Sequence, residues 1–180
     1  MTKTILITGA SSGIGAGMAR EFAQMGYNLA ICARRLERLE TLKQELESQF
    51  GIRVIAKTLD VTNYDQVFQV FHEFKQDFGK IDRIIVNAGV GEGRRIGKGN
   101  FAINKATVET NFISALAQCE AAVEIFREQN SGHLVMISSM SAIRGMPKHL
   151  TAYGASKAAV AHLAEGIRAE LIDTPIQVTT

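Results

Sequence analysis

Short, continuously apolar runs alternating with longer segments of helical periodicity constrain this 180-residue chain more than any other feature. Thr4-Ile5-Leu6-Ile7-Thr8 is the first run, and residues 29–33, 53–59, 83–87, 134–138 and 176–180 supply five more. Runs of this length and composition predict strands covered on both faces. Between them, residues 14–25 predict a helix stopped at Gly26. Leu36, Leu39, Leu42, Leu46 and Phe50 mark the apolar stripe of a second. Thr62 with Asp65 reads as a capping box opening a third, with Val67, Phe71, Phe74 and Phe78 on one face. Residues 104–129 predict one long helix and 151–172 another, and the glycine-rich stretch 91–100 predicts a loop. This order implies an α/β chain: a doubly wound parallel sheet with helices on both faces, joined by right-handed crossovers. Residues 1–180 are expected to form a single domain, the last strand of which is still in progress at residue 180.

Composition narrows the function classes. Apolar residues make up 46% and charged residues 21%, the profile of an ordinary globular protein, and the formal net charge is +2. That charge is small and dispersed, which argues against nucleic acid. The densest basic cluster, Arg94, Arg95 and Lys98 among glycines, has no interleaved aromatic residues. Cys32 and Cys119 are too few for a disulfide scaffold and read as buried, reduced side chains. His72, His133, His149 and His162 lack metal-ligand spacing, so no metal is expected. No apolar run is long enough to span a bilayer and no signal-peptide core opens the chain, so the expectation is a cytoplasmic protein without a membrane partner.

Two motifs carry chemistry. Thr8-Gly9-Ala10-Ser11-Ser12-Gly13-Ile14-Gly15 joins the first strand to the first helix. Glycines there permit a tight turn and close approach of a pyrophosphate, whose charge meets the free N–H groups of the helix. Gly9, Ser11, Ser12, Gly13, Ile14 and Gly15 are therefore candidate nucleotide contacts. Tyr153 and Lys157 lie four residues apart in a predicted helix and project from one face. A free phenol ionises near pH 10 and is a poor acid or base at neutrality. An ammonium about 4 Å away favours a phenolate by roughly 4 kcal/mol at an effective dielectric near 20, which brings such a group within reach of acid/base catalysis.

With Asn87-Ala88-Gly89 after the fourth strand, the glycine turn and the Tyr153/Lys157 pair closely resemble the short-chain dehydrogenase/reductase family, from residue 3 to the end. The resemblance implies a Rossmann fold and an oxidoreductase that passes hydride between a nicotinamide and a small-molecule carbonyl or alcohol. By position, Ser139 matches the serine that hydrogen-bonds the substrate oxygen, with Ser138 and Ser141 as alternatives. Tyr153 matches the proton donor or acceptor, and Lys157 the residue that activates it and holds the nicotinamide ribose. Asn111 matches the helix asparagine that supports a relay water, and is otherwise a helix-interior polar residue. Asn87, Ala88 and Gly89 border the cofactor. Asp60 and Val61 resemble the pair that contacts adenine, although Asp60 also reads as a loop or cap carboxylate.

NAD enzymes usually place a carboxylate at the end of strand two. Here the chain reads Cys32-Ala33-Arg34-Arg35, and a guanidinium forks onto a phosphate, so Arg34, with Arg35, favours NADP over NAD. The other reading is a solvated arginine starting a charged helix. Both long helices carry apolar or small residues on more than one face, which suits a homodimer or homotetramer. Specificity is expected in residues 91–105 and 140–150, and Arg94, Arg95 and Lys98 hint at an anionic substrate or carrier. The family pattern continues beyond a sixth strand, so a longer natural chain is expected. The competing function is a nucleotide-binding module without turnover.

Overall fold

The computed structural model describes residues 2–147 and 149–180. Strands β1 (Thr4–Thr8), β2 (Asn28–Ala33), β3 (Val54–Thr58), β4 (Arg83–Val86), β5 (Gly132–Met136) and β6 (Ile176–Thr179) form one parallel sheet in the order β3-β2-β1-β4-β5-β6. The connections carry α1 (Gly13–Gln24), α2 (Leu36–Phe50), α3 (Tyr64–Phe78), α4 (Phe101–Val108), α5 (Ser114–Glu128) and α6 (Thr151–Glu170).

Side chains alternate across each strand, so a central strand must be apolar throughout to serve two cores. Ile5, Ile7, Leu29, Ile31 and Ile85 meet Ala16, Ala19 and Ala23 of α1 and Leu39, Leu42 and Leu46 of α2. Leu6, Ala30, Ile84, Leu134 and Met136 meet Phe71 and Phe74 of α3, Phe126 of α5 and Val160 of α6. Each large side chain fully buried this way contributes roughly 1.5–3 kcal/mol. Helices α1 and α2 pack against β1 to β3, so β5 and β6 are fully covered on one face alone. Leu134, Met136, Ile176 and Val178 are buried, while Gln177 and Thr179 are exposed. Cys32 and Cys119 are free and buried, and burial raises both thiol pKa values.

Three local features differ from expectation. The third helix is capped by Asn63, whose side-chain oxygen accepts the Gln66 N–H at 3.2 Å, not by a Thr62/Asp65 box. Thr62 instead donates its hydroxyl to Asp60 at 2.7 Å, and that bond removes it from the cap. Helix α6 ends at Glu170, two residues early. The long helix expected over 104–129 begins at Phe101 and is interrupted by a π-helical turn, Glu109–Ile113. The cause lies in Asn111, which is buried and whose carboxamide pairs with both backbone groups of Val90, at 2.8 and 2.9 Å. Widening the turn brings this side chain inward, and the Ser114 hydroxyl satisfies the Thr110 carbonyl within the widened turn at 2.6 Å.

Candidate active site

Strands β1 and β4 are neighbours whose onward connections leave in opposite directions, so their carboxyl ends open a crevice. Thr8, fully buried at the end of β1, closes its floor. Its hydroxyl accepts the N–H groups of Asn87 and Ala88, both at 3.1 Å. The Asn87 amide donates back to the Thr8 carbonyl at 2.9 Å. Asn87 therefore holds the two strand ends together as well as bordering the crevice. Gly9 turns with φ +68°, and a Cβ there would lie 2.8 Å from the Ala88 Cα. A Cβ on Gly15 would overlap the Gly9 carbonyl oxygen and lie 2.7 Å from the Asn87 amide nitrogen. Helix α1 can approach the turn this closely because both positions are glycine.

The crevice has two connected parts. One, of ≈ 140 Å³, is bordered by Ser11, Arg34, Arg35, Asp60, Val61 and Thr62. The other, of ≈ 280 Å³, is bordered by Gly13, Ile14, Gly15, Ser138, Tyr153 and Lys157. Gly9, Ser12, Ala88, Gly89 and Val90 line both. Helix α1 has no acidic residue in its first turn, so the positive end of its dipole faces this space uncompensated. Arg35 reaches the turn through one guanidinium nitrogen, Nη2, which donates to the Ser11 and Ser12 hydroxyls at 3.0 and 2.9 Å. Of the two arginines weighed from sequence, Arg35 is thus the one tied to the glycine turn. Arg34 lies by Asp60. Partial burial raises the pKa of that carboxyl, but bonds from the Thr62 N–H and hydroxyl, with the charge of Arg34, outweigh it and leave the group below its ordinary value.

At the other end, α6 supplies Tyr153, half-buried, and Lys157, buried. The Lys157 ammonium donates to the Ile137 carbonyl at 2.8 Å, and burial holds its pKa below the usual lysine range. Ser138 donates to the Lys157 carbonyl at 2.8 Å, pinning α6 to the end of β5. Among the described residues, the Tyr153 hydroxyl makes no hydrogen bond to Lys157 or Ser139. Ser138, not Ser139, borders the part of the crevice that holds Tyr153. The Ser139 hydroxyl oxygen accepts from the Ser141 N–H at 3.2 Å and the Ser141 hydroxyl at 2.9 Å. Asn111 reaches the same turn of α6 indirectly: its amide donates to the Ser156 hydroxyl at 3.2 Å, which donates to the Tyr153 carbonyl at 2.7 Å. A Cβ on Gly89 would lie 3.0 Å from Asn111 Oδ1 and 3.5 Å from Lys157 Nζ, so both polar groups face that glycine. Thr8 and Ser156 escaped the reading of the sequence. A threonine directly before the glycine turn was the available signal for the first.

The family model for the short chain dehydrogenases matches residues 3–180. The chain belongs to that family. An uncharacterized oxidoreductase of Mycobacterium tuberculosis, 52% identical over 176 residues, is aligned over 97% of this chain and 70% of its own length. Among solved structures, an alcohol dehydrogenase from Thermococcus sibiricus complexed with 5-hydroxy-NADP is similar over 98% of this chain and 74% of its own, with TM-score 0.91 and 28% identity. An NAD+-bound xylitol dehydrogenase is similar over 98% of this chain and 67% of its own, with TM-score 0.92 and 29% identity. This short chain dehydrogenase thus has the sheet order and helix placement of structures that hold either nicotinamide dinucleotide. No helix among its described residues is long and apolar enough to cross a membrane.

Proposed function

We propose that this chain is an NADP-dependent oxidoreductase acting on a small-molecule carbonyl or alcohol. One observation carries the reading: Tyr153 and Lys157 border the same crevice as the glycine turn after β1. The residues present fit a dinucleotide. Its pyrophosphate would lie at the N–H groups of Gly13, Ile14 and Gly15, where a Cβ on Gly15 would obstruct the turn. Its adenosine would lie toward Asp60 and Val61, and its nicotinamide toward Asn87, Ala88 and Gly89. Bound there, NADPH supplies hydride to the carbonyl carbon.

Tyr153 gives its proton to the carbonyl oxygen, completing the alcohol, and takes it back in the oxidative direction. Lys157, already desolvated, would offer positive charge toward the phenol oxygen as that proton leaves and would hold the ribose hydroxyls of a bound dinucleotide. Ser139 receives both bonds from Ser141, so its own hydrogen is available to the substrate oxygen. Asn111 positions Tyr153 through Ser156, and its carboxamide and the Lys157 ammonium both face Gly89.

Arg35 and Arg34, with no carboxylate at the end of β2, support NADP over NAD. The Arg35 guanidinium, held beside Ser11 and Ser12 by Nη2, would turn onto a 2′-phosphate. Arg35→Ala is expected to raise the NADPH dissociation constant by about 10- to 100-fold and that of NADH by less than about threefold, read by fluorescence titration. Equal losses for both would refute the assignment. We extend the proposal to a cytoplasmic protein that forms a homodimer or homotetramer, the assembly supported by the exposed Ile113, just ahead of α5, and Leu116 within it. The function itself is tested by NADPH consumption against a panel of ketones and aldehydes. Turnover supports it, whereas NADPH binding without turnover of any carbonyl reduces the chain to a nucleotide-binding module.

A further inference from the structure

Two segments flank the amino-terminal turn of α6, and apart from Ser141 hydride transfer uses neither. Residues 93–101 pack on it closely: a Cβ on Gly93 would overlap the His149 carbonyl oxygen. Ala152 joins Ile96, Phe101 and Val108 around an apolar cavity of ≈ 530 Å³. Residues 140–146 pack on the same turn, where a Cβ on Gly154 would lie 3.0 Å from the Ser141 carbonyl oxygen. Ala152 and Gly154 flank Tyr153 in sequence, so both segments pack on the helical turn that carries the proposed proton donor.

Their composition is unusual for exposed loops. Twelve large hydrophobic side chains are exposed among the described residues, and five belong here. Ile96 is 66% exposed, Phe101 78%, Met140 79% and Ile143 75%, with Met146 beside them. Isolated exposed apolar residues are ordinary, but several of them on segments that pack on one helical turn mark a binding surface. The same segments carry Arg94, Arg95, Lys98 and Arg144, none of which forms an ion pair among the described residues. Glu92 is the one acidic residue between 91 and 101, and 140–150 contains none. A solvated loop would carry such charge without the large apolar side chains. A purely apolar ligand would leave the guanidinium groups unmatched.

We propose that the substrate of this site is amphipathic: a carbonyl compound with an apolar chain or ring system ending in an anion, carboxylate or phosphate. The proposal rests on the reading of Tyr153 as acid/base. With the carbonyl at Tyr153, the apolar part lies across Ile96, Phe101, Met140 and Ile143. The anion lies on the guanidinium forks of Arg94, Arg95 and Arg144.

The test measures kcat/KM for NADPH-dependent reduction of four methyl ketones: 8-oxononanoate, 8-oxononyl phosphate, neutral 2-nonanone and short 4-oxopentanoate. At least one long anionic ketone is expected to exceed both 2-nonanone and 4-oxopentanoate by about tenfold or more, and which one does distinguishes carboxylate from phosphate. The preference over 2-nonanone should fall to within about threefold in an Arg95→Gln/Arg144→Gln variant, with NADPH affinity as the check on folding, and should weaken as salt is raised. Equal efficiency with 2-nonanone overturns the anionic end, and equal efficiency with 4-oxopentanoate overturns the apolar body. If Phe101→Ser dissociates an oligomer and leaves the preference unchanged, that surface belongs to a second copy and the proposal falls. Turnover of other carbonyls but none of these four overturns the substrate class alone. NADPH binding with no carbonyl turned over at all overturns the acid/base reading beneath it.

Discussion

Tyr153→Phe is expected to lower NADPH-dependent carbonyl reduction by about 10²–10⁴-fold while leaving NADPH affinity within about twofold. The substitution removes one oxygen and keeps the half-buried ring. Nothing that holds the crevice together passes through that oxygen. The Tyr153 carbonyl still accepts the Ser156 hydroxyl, and the Lys157 ammonium still donates to Ile137. Loss of turnover would therefore report the missing proton, not a disturbed helix. The measurement pairs steady-state NADPH oxidation with fluorescence titration of the cofactor. Turnover within tenfold of the native chain would remove Tyr153 from the acid/base role. A parallel loss of cofactor affinity would point to a positioning role instead.

Gly15→Ala should strike the other end of the chemistry. Its methyl would meet the Gly9 carbonyl oxygen and the Asn87 amide, the latter at 2.7 Å, and neither can retreat. The Asn87 amide is tied to the Thr8 carbonyl, and Gly9 is wedged against Ala88. Helix α1 must move away, carrying with it the N–H groups proposed to meet the pyrophosphate. The expected outcome is a loss of about 1–3 kcal/mol in stability by denaturant melt, and NADPH affinity lower by about 100-fold. Gly17→Ala is the matched control, because a Cβ there meets nothing within 4 Å. In the helix interior that change should be neutral or stabilise by about 0.5–1 kcal/mol. A Gly15→Ala chain that melts and binds like the native one would refute the close-approach argument.

The sheet was legible because each central strand must satisfy two cores, which leaves a continuous apolar run in place of an alternating one. The cofactor end of the crevice was legible for a related reason: glycines and serines directly after β1 have few other uses. What escaped were arrangements that depend on bonds between distant segments. Asn63 and Thr62 are adjacent and both can cap a helix; Asp60 decides between them by taking the Thr62 hydroxyl. Arg34 and Arg35 are equivalent on paper, and the direction in which the chain leaves β2 turns Arg35 toward Ser11 and Ser12. Ser138, Ser139 and Ser141 are likewise alike in sequence. Their hydroxyls are separated by what lies opposite each, the Lys157 carbonyl for Ser138 and the Ser139/Ser141 pair for the other two. The π-helical turn left no pattern in hydrophobicity, since its cause is a carboxamide pairing with backbone 21 residues earlier.

That turn has a consequence for the segment ahead of it. A π turn is an α-helix carrying one residue more than its pitch requires, and each helical residue contributes about 100° of rotation and 1.5 Å of rise. The segment ahead of it, α4, is anchored to the loop before it by Asn104, whose side chain bonds both backbone groups of Arg94 at 2.8 and 3.2 Å. The heading of that loop is therefore set by a phase offset in a helix. Deleting one residue within 109–113 would restore a regular helix, leave the core of α5 in register, and swing Phe101 and Arg94 round by about a quarter turn. Substrate preference could in this way be re-aimed by a change that touches no substrate.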